Sequence, residues 1–457
     1  MVNTDSLLSL RNVVCPGCGC VCDDVRLTFR AGVLEEFQPE CQLGERWFSS
    51  HARAVATPFC IRGTPSSLVE VIEFSAKILS SADYPLIYGL SRSATPGQRA
   101  AVRLAELLGG AIDTTASLCH GPSIMAIQEV GEVTCSLGEI RNRADLVVFW
   151  GCDPGSSHPR HAERYSVFPD GKYLPNGRNS RTVVLIGSEE NVKRSKLAPD
   201  GEPADLIISV PSGGDFEVLN QMRAVLAGAD AEGVPHDILR LVRLMKSCRY
   251  GVVFFGLGLA GTKMWNFGRR SATGHISVAA LLKLVAELNA FTRFTARRMR
   301  LQGDVSGADN VMLWQTGYPF GVDFSRGFPR YNPGEYTANE LLERGDTDAV
   351  LLFGADTVSC FSQQALAHLS NIPVILLDYP GDETDPGFIP TVRITTAVYG
   401  IHAAGTLYRM DNVPLSLRRH LPSDLPTDEN VLDQLRELCS GKHGNTLFGN
   451  RRNPPAL

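Results

Sequence analysis

The feature that most constrains this chain is a set of short apolar runs that recur along most of its length. They are PLIYGL from Pro85, DLVVFWGCDP from Asp145, TVVLIGSEEN from Thr182, DLIISVP from Asp205, YGVVFFGLGLAG from Tyr250, DAVLLFGADT from Asp348 and PVILLDYPGD from Pro373. Each is of strand length, rich in β-branched or aromatic residues, and apolar at successive rather than alternate positions. A strand apolar on both sides is buried on both sides, and longer helix-like stretches separate the runs. The pattern predicts an α/β protein of the doubly wound class, with parallel sheets covered by helices on both faces.

Many of these runs end in a similar way, in a short loop bearing glycine or aspartate: Gly151–Asp153, Gly187–Ser188, Gly256–Gly258, Gly354–Asp356 and Asp378–Asp382. Ligands of open α/β sheets bind past the carboxyl ends of the strands, where glycine admits a phosphate and a carboxylate holds a ribose or base. Gly151, Asp153, Gly256, Gly258, Gly354, Asp356 and Asp378 are therefore candidate cofactor contacts. Several such loops in one chain suggest a long nucleotide-bearing ligand lying across two sheet domains. The plainer alternative is that glycine ends any strand before a helix.

A second constellation opens the chain. Cys15, Cys18 and Cys22 in VVCPGCGCVCDDV are followed by Cys41 in PECQLGERW. A tight loop would deliver three thiolates to one centre and a returning strand the fourth, which suits a [4Fe–4S] cluster; a four-cysteine zinc site uses the same ligands. Cys20, in the same loop, is a competing ligand read as a bystander. The chain carries 12 cysteines and no visible signal peptide, so a cytoplasmic location is expected, where a cluster of cysteines asks for a metal rather than disulfides. A net charge of -5 with no basic block gives no footprint for nucleic acid, and no run is long enough to cross a bilayer.

Three further groups carry chemistry. Cys119 and His120 in SLCHGPS predict a sharp turn that presents a thiol and an imidazole at a helix N-terminus, suited to metal ligation and proton transfer. Read alone, a Cys–His pair is more often incidental. Trp150–Pro154 with His158, Pro159, Arg160 and His161 forms a strand-end loop that either holds phosphate or packs against the cysteine loop, with Cys152 read as a small buried residue. Arg300 in RRMRLQGD could grip a carboxylate in bidentate fashion, while Arg297 and Arg298 beside it read equally well as a solvated face. The stretch of roughly 295–345 has no clean helical or strand period and reads as a loop-rich active-site segment.

Taken together, VVCPGCGCVCDDV, SLCHGPSIMAIQEVGEVTCSLGEIRNRADLVVFWGCDP with HPRH, QTGYPFGVDFSRGFPRYNPGE and GTLYRMDNVPL resemble one family over nearly the whole chain. It is the B subunit of formylmethanofuran dehydrogenase, with its bacterial formyltransferase/hydrolase relatives. The resemblance implies the core of the larger molybdopterin oxidoreductases without their C-terminal barrel: an iron–sulfur domain over 1–60 and Rossmann-like domains over 61–240 and 241–457. It implies a bis-pyranopterin guanine dinucleotide carrying tungsten or molybdenum, with Cys15, Cys18, Cys22 and Cys41 as cluster ligands and Cys119 as metal ligand. His120 becomes the proton-transfer residue, Arg300 the active-site arginine, and Gly405 and Thr406 further cofactor contacts.

The reaction implied is reversible reduction of carbon dioxide to formate. Formate passes to a zinc-dependent A-type subunit that attaches it to a methanofuran-type amine, with C- and D-type subunits as further partners. The chain departs from the family pattern at Gln302, where a histidine is usual, and at His402 and Ala404, where an acidic pair is usual. Those departures favour a second reading, a non-catalytic structural subunit of a formyltransferase/hydrolase complex. A third, a single-chain formate dehydrogenase, is disfavoured by length.

Overall fold

In a computed structural model of the chain, residues 7–199, 201, 203–261, 265–266, 269–270, 273–300, 303–382 and 384–443 are described. All seven apolar runs are strands. Among the described residues five of the strands form one parallel sheet in the order Leu206–Val210, Thr182–Ser188, Leu146–Trp150, Tyr250–Phe255, Arg293–Arg298. Counted along the chain this order is 3-2-1-4-5, so the winding direction reverses between Leu146–Trp150 and Tyr250–Phe255. The register aligns the carboxyl ends: Phe255 stands opposite both Trp150 and Arg298.

A nine-stranded sheet has a parallel centre in the order Ala111–Asp113, Pro85–Tyr88, Ala349–Phe353, Val374–Asp378, Val392–Thr395. Its order along the chain is 2-1-3-4-5, with the reversal between Pro85–Tyr88 and Ala349–Phe353. Short antiparallel strands close both edges, Val322–Asp323 and Arg330–Tyr331 on one side, Phe59–Ile61 and Thr64–Pro65 on the other. They are two or three residues long, which leaves little free edge for unwanted pairing.

Three expectations are corrected here. The division at 240/241 does not follow the sheets: Tyr250–Phe255 pairs with Leu146–Trp150, and Pro85–Tyr88 pairs with Ala349–Phe353. The five-stranded sheet is thus an insertion within the chain of the nine-stranded one. Strand order depends on pairing between distant segments, which periodicity does not report.

The 295–345 stretch is not mainly loop, for it contains strand Arg293–Arg298 and helix Val305–Thr316. That helix buries Val305, Ser306, Gly307, Ala308, Asp309, Val311, Met312 and Thr316, so it has no polar face to produce an amphipathic period. Finally, the cysteine-rich start is a three-stranded antiparallel sheet, Leu7–Val13, Val25–Arg30 and Val33–Gln38, followed by helix Gln42–His51. It has no separate core: Leu27, Phe29 and Phe48 join Leu137, Ile140, Phe149 and Phe254 of the five-stranded half in one apolar cluster. Burying side chains of this size stabilises by about 1.5–3 kcal/mol each, which welds the small sheet to the larger one.

Candidate functional site

The cysteine loop closes on itself, with the Cys15 amide donating to the Cys22 carbonyl at 2.8 Å and the Val21 amide to the Cys18 carbonyl at 3.1 Å. Cys15, Cys18, Cys22 and Cys41 then line one small cavity with Val25, Phe37, Gly44 and Arg160. Cys41 reaches it from the N-cap of helix Gln42–His51 rather than from a strand, a correction to the expected returning strand. Burial, and after it the charges of Cys22 and Cys18, push the Cys15 thiol well up, and burial followed by Cys18 pushes Cys22 up to about 12. Four thiolates this crowded repel one another, so the set is comfortable ionised only around a positive group. Among the described residues no group of three His, Cys, Asp or Glu side chains is arranged to hold a single metal ion. Cys20 is fully buried in the same loop, and hydrogen bonding to it is the largest influence on Cys18, lowering that thiol.

Of the two readings for the HPRH segment, packing on the cysteine loop is what the structure contains. Arg160 donates from Nη1 and Nη2 to the two Asp24 carboxylate oxygens at 2.8 Å each. A Cβ placed on Gly19 would lie 3.1 Å from His158 Nε2 and 3.0 Å from the Arg300 carbonyl oxygen, so loop, histidine and arginine strand meet there. His158 is fully buried, and its Nδ1 pairs with Ser157 Oγ at 2.9 Å. Cys152 is half-buried, its Sγ 3.8 Å from the Phe254 carbonyl.

His120 sits between the short helix Ala116–Cys119 and helix Gly121–Val130, where Pro122 starts the second helix. The expected turn is therefore present. His120 is wholly buried, and among the described residues neither ring nitrogen makes a full hydrogen bond, though the Met299 backbone lies near enough to act on it. Burial first, then the guanidiniums of Arg300 and Arg298, hold its pKa well below the usual value, so it is neutral. A buried polar group without a full hydrogen bond is rare enough to ask for one.

Arg300 is 5% exposed and pairs with Asp309 at 2.6 Å; Asp309 also accepts from Thr114 Oγ1 at 3.1 Å. The reading of Arg297 and Arg298 as a solvated face is overturned. Arg297 is buried with Nη2 on the Met410 carbonyl, and Arg298 points inward to Glu132 at 3.5 Å, its pKa lowered to about 10 by burial and by Arg300. The strand carries them into the seam between the sheets, where Glu132 and Asp309 supply the opposite charge. Gln302 lies outside the described residues. His402 is buried, held neutral with a pKa near 4 by burial, and its Nδ1 accepts from the Val398 amide at 3.4 Å within its own loop. Ala404 is exposed.

The strand-end residues divide between the two reversal points. Gly151, Gly256 and Gly258 pack on each other: the Gly258 amide donates to the Gly151 carbonyl at 2.9 Å, and a Cβ on Gly151 would lie 2.6 Å from the Leu259 nitrogen. Asp153 caps the next turn, accepting from the Ser156 and Lys196 amides at 3.4 and 3.0 Å. At the other reversal point Arg92 pairs with Asp356 at 2.8 Å and Asp382 at 3.3 Å, its guanidinium 5.7 Å over the Trp47 ring.

Arg92, Asp356 and Asp382, with Arg46, Trp47, His51, Arg53 and Gly17, line an open polar cleft between the nine-stranded sheet and the N-terminal lobe. Gly354 abuts Arg92, and Asp378 lies just behind, its buried carboxyl pushed up to about 8 by burial and then by the charge of Asp382. Gly405 and Thr406 lie in a hairpin with Pro414–Leu417, and the Tyr408 amide that follows donates to Asp304 at 3.0 Å.

The chain is 39% identical over 438 residues to the B subunit of tungsten-containing formylmethanofuran dehydrogenase 2 of Methanocaldococcus jannaschii, covering 93% of this chain and 97% of that protein. The chain belongs to the B-subunit family of formylmethanofuran dehydrogenase. The protein of the same name from Methanococcus maripaludis is 35% identical over 440 residues, again 93% and 97% of the two chains. The B subunit of the formyltransferase/hydrolase complex of Methylorubrum extorquens is more distant, 24% identical over 64% of this chain and 73% of its own. A crystal structure of that complex with methylofuran contains a chain of similar fold, with a TM-score of 0.69 at 21% identity over 84% of this chain and 99% of that one. No family model matches the chain.

Within this family fold, several residues of the site had no sequence signal of their own. Arg92, Asp309 and Asp304 stand in stretches with no motif of their own, and Asp24 follows the cysteine motif without a ligand pattern that singles it out. What could have exposed Arg92 is its place four residues after strand Pro85–Tyr88, at a reversal point. Asp113 lies at the end of a three-residue strand and accepts from the Thr114, Gly321 and Ala338 amides, tying three segments together.

Proposed function

We propose that this chain is the redox subunit of a formylmethanofuran dehydrogenase-type complex, interconverting carbon dioxide and formate and working with A-, C- and D-type subunits that formylate a methanofuran-type amine. The observation that carries the reading is His120: buried, neutral, without a full hydrogen bond at either nitrogen among the described residues, and under the charges of Arg298 and Arg300, while Arg300 and His158 meet Gly19 of the four-thiol loop. The names of the relatives at 39% and 35% identity support tungsten in this role.

A pyranopterin-held tungsten or molybdenum, when bound, supplies the two-electron chemistry. The soft Cys119 thiolate would ligate it. A neutral His120 can take up or release a proton beside it, and Arg300, fixed by Asp309, can turn a guanidinium edge to a carboxylate. Cys15, Cys18, Cys22 and Cys41 would hold a [4Fe–4S] cluster. The four thiols line one cavity, and the thiolates of such a cluster each bind a different iron. In the cleft, Arg46, Arg53 and Arg92 would offer charge to phosphates, with Asp356 and Asp382 as acceptors for a base or ribose and Asp378 behind them. The loops of Gly151, Asp153, Gly256 and Gly258 would bound a second dinucleotide, with Gly405 and Thr406 nearer the substrate.

The structural-subunit reading keeps one observation in its favour, since a formyltransferase/hydrolase chain shares the fold. Metal analysis of the complex purified without oxygen separates the two. Tungsten or molybdenum near one per copy of this chain, with about four irons, is the expected result; zinc alone would make the chain a scaffold. Replacing Cys119 with Ser is expected to abolish carbon dioxide reduction while iron content and complex assembly persist. Retained reduction in that variant would sink the assignment of Cys119.

A further inference from the structure

Arg160 is the charged residue that lines the four-thiol cavity, and Arg164 beside it hydrogen-bonds the Cys22 thiol and shares Asp24 with Arg160. The Arg160 side chain is 4% exposed, whereas its two counterions, Asp24 and Glu163, are 43% and 56% exposed. The guanidinium is clamped in place: Nη1 and Nη2 meet Asp24 at 2.8 Å each, and Nη2 and Nε meet Glu163 at 3.0 and 3.3 Å. The arrangement is a dipole aimed inward. Solvent only partly screens the two outer carboxylates, so they offset some of the cation, while the buried cation faces the thiols through protein of low polarisability.

We infer that Arg160, oriented by Asp24 and Glu163, is a positioning residue for electron transfer that raises the reduction potential of the cluster held by Cys15, Cys18, Cys22 and Cys41. The inference rests on the cluster proposed above. One electron taken from a low-potential donor of the ferredoxin type makes the cluster and its thiolates one charge more negative, with no bond made and no proton moved. A fixed cation at the cavity wall favours that reduced state, and net charge around the sulfurs is one of the levers by which proteins set such potentials. The proton balance is untouched, because Arg160 is held charged by its two carboxylates. A merely structural role, pinning the cysteine loop to the HPRH segment, would also use the Asp24 pair, and the two roles differ in sign.

The test is redox-poised electron paramagnetic resonance of the anaerobically purified complex, with dithionite as reductant, comparing wild type with Arg160→Gln, Arg160→Lys and Asp24→Asn. Arg160→Gln is expected to lower the midpoint, with about tenfold less reduced cluster at a fixed potential, or ~59 mV for a one-electron couple. Arg160→Lys keeps the charge and stays near wild type. Asp24→Asn removes an outer anion and moves the midpoint the other way. If Arg160→Gln does not assemble a cluster, Asp24→Asn decides: an upward shift supports the inference, and no shift overturns it. A normal cluster whose midpoint ignores both changes, or moves the same way in both, overturns the inference and leaves the cluster reading standing. Wild-type complex without iron or a cluster signal overturns the cluster reading and the inference together.

Discussion

The two sheets obey the same winding rule, yet their reversal points differ. In the five-stranded sheet the loops after Trp150 and Phe255 touch backbone to backbone through Gly151, Gly256 and Gly258. In the nine-stranded sheet Gly89, just after Tyr88, also lies on backbone, a Cβ there falling 2.4 Å from the Phe353 carbonyl oxygen, but beyond it Gly354 abuts Arg92, and a clamp of Arg92, Asp356 and Asp382 faces an open polar cleft. A glycine at a strand end thus has two uses that look alike in one dimension. At Gly151 it lets one loop lie on another; at Gly354 it makes room for an arginine. The lesson is that the strand-end motif identifies a place in the fold, while the neighbour across the gap decides what that place can bind.

Substitution at those two glycines would break the comparison most sharply. Gly151 has φ +59, and an added Cβ would meet main-chain atoms of Leu259 and Gly258 at 2.6 and 2.8 Å, which cannot move aside cheaply. Gly151→Ala is expected to cost about 3 kcal/mol or more, read as a lowered Tm. Gly354, at φ +76, meets first the flexible Arg92 side chain at 2.7 Å, so Gly354→Ala should cost only about 1–2 kcal/mol. Equal losses would show that the loops of the two sheets are packed alike.

Next in size is Arg92→Ala. It strands Asp382, which is 7% exposed, and the half-buried Asp356, for an expected loss of about 2 kcal/mol. Pterin content of the purified complex, measured by fluorescence after oxidation, is expected to fall while iron content does not. Unchanged pterin would remove the cleft from the ligand site.

The smallest effect is a matter of pH. His402, near the nine-stranded sheet, has a folded pKa near 4 against a usual 6.5, so the native state binds fewer protons than the unfolded chain between those values. Its contribution is full above pH 6.5 and is lost as pH falls through about 4. His402→Gln removes that liability, and its Tm relative to wild type should rise on going from pH 7.5 to pH 6, by the equivalent of about 1 kcal/mol or less. In the five-stranded half His161, fully buried with a pKa near 3, should give the same sign over a wider window. A flat difference across that range would show that neither histidine is buried in the neutral form.

How much was legible follows from which residues carry local information. The seven strands were readable because each is mostly apolar at successive positions, although the edge strand Leu206–Val210 turns Ile207 and Ser209 outward. Arg293–Arg298 was not, since RFTARR carries three arginines, two of which, Arg297 and Arg298, turn inward to the Met410 carbonyl and Glu132. Helix Val305–Thr316 was hidden for the opposite reason, being buried on nearly every side. The cysteine spacing already placed three thiols in one tight loop, and Cys119–His120–Gly121–Pro122 already marked a helix start. Nothing local said that His158 and the Arg300 carbonyl would meet at Gly19, or that Arg160 would turn into the cavity of the cysteines.

By itself, then, the sequence determined the elements: which segments are strands, where the thiols cluster, and where a helix begins beside a Cys–His pair. Those follow from side-chain period, loop length and the fixed geometry of proline, all of which act over a few residues. Only the tertiary structure decided that the five-stranded sheet interrupts the nine-stranded one, which glycines touch backbone and which touch an arginine, and which arginines are buried. These depend on pairing between segments far apart in the chain, and on whether a buried charge finds its counterion across the gap.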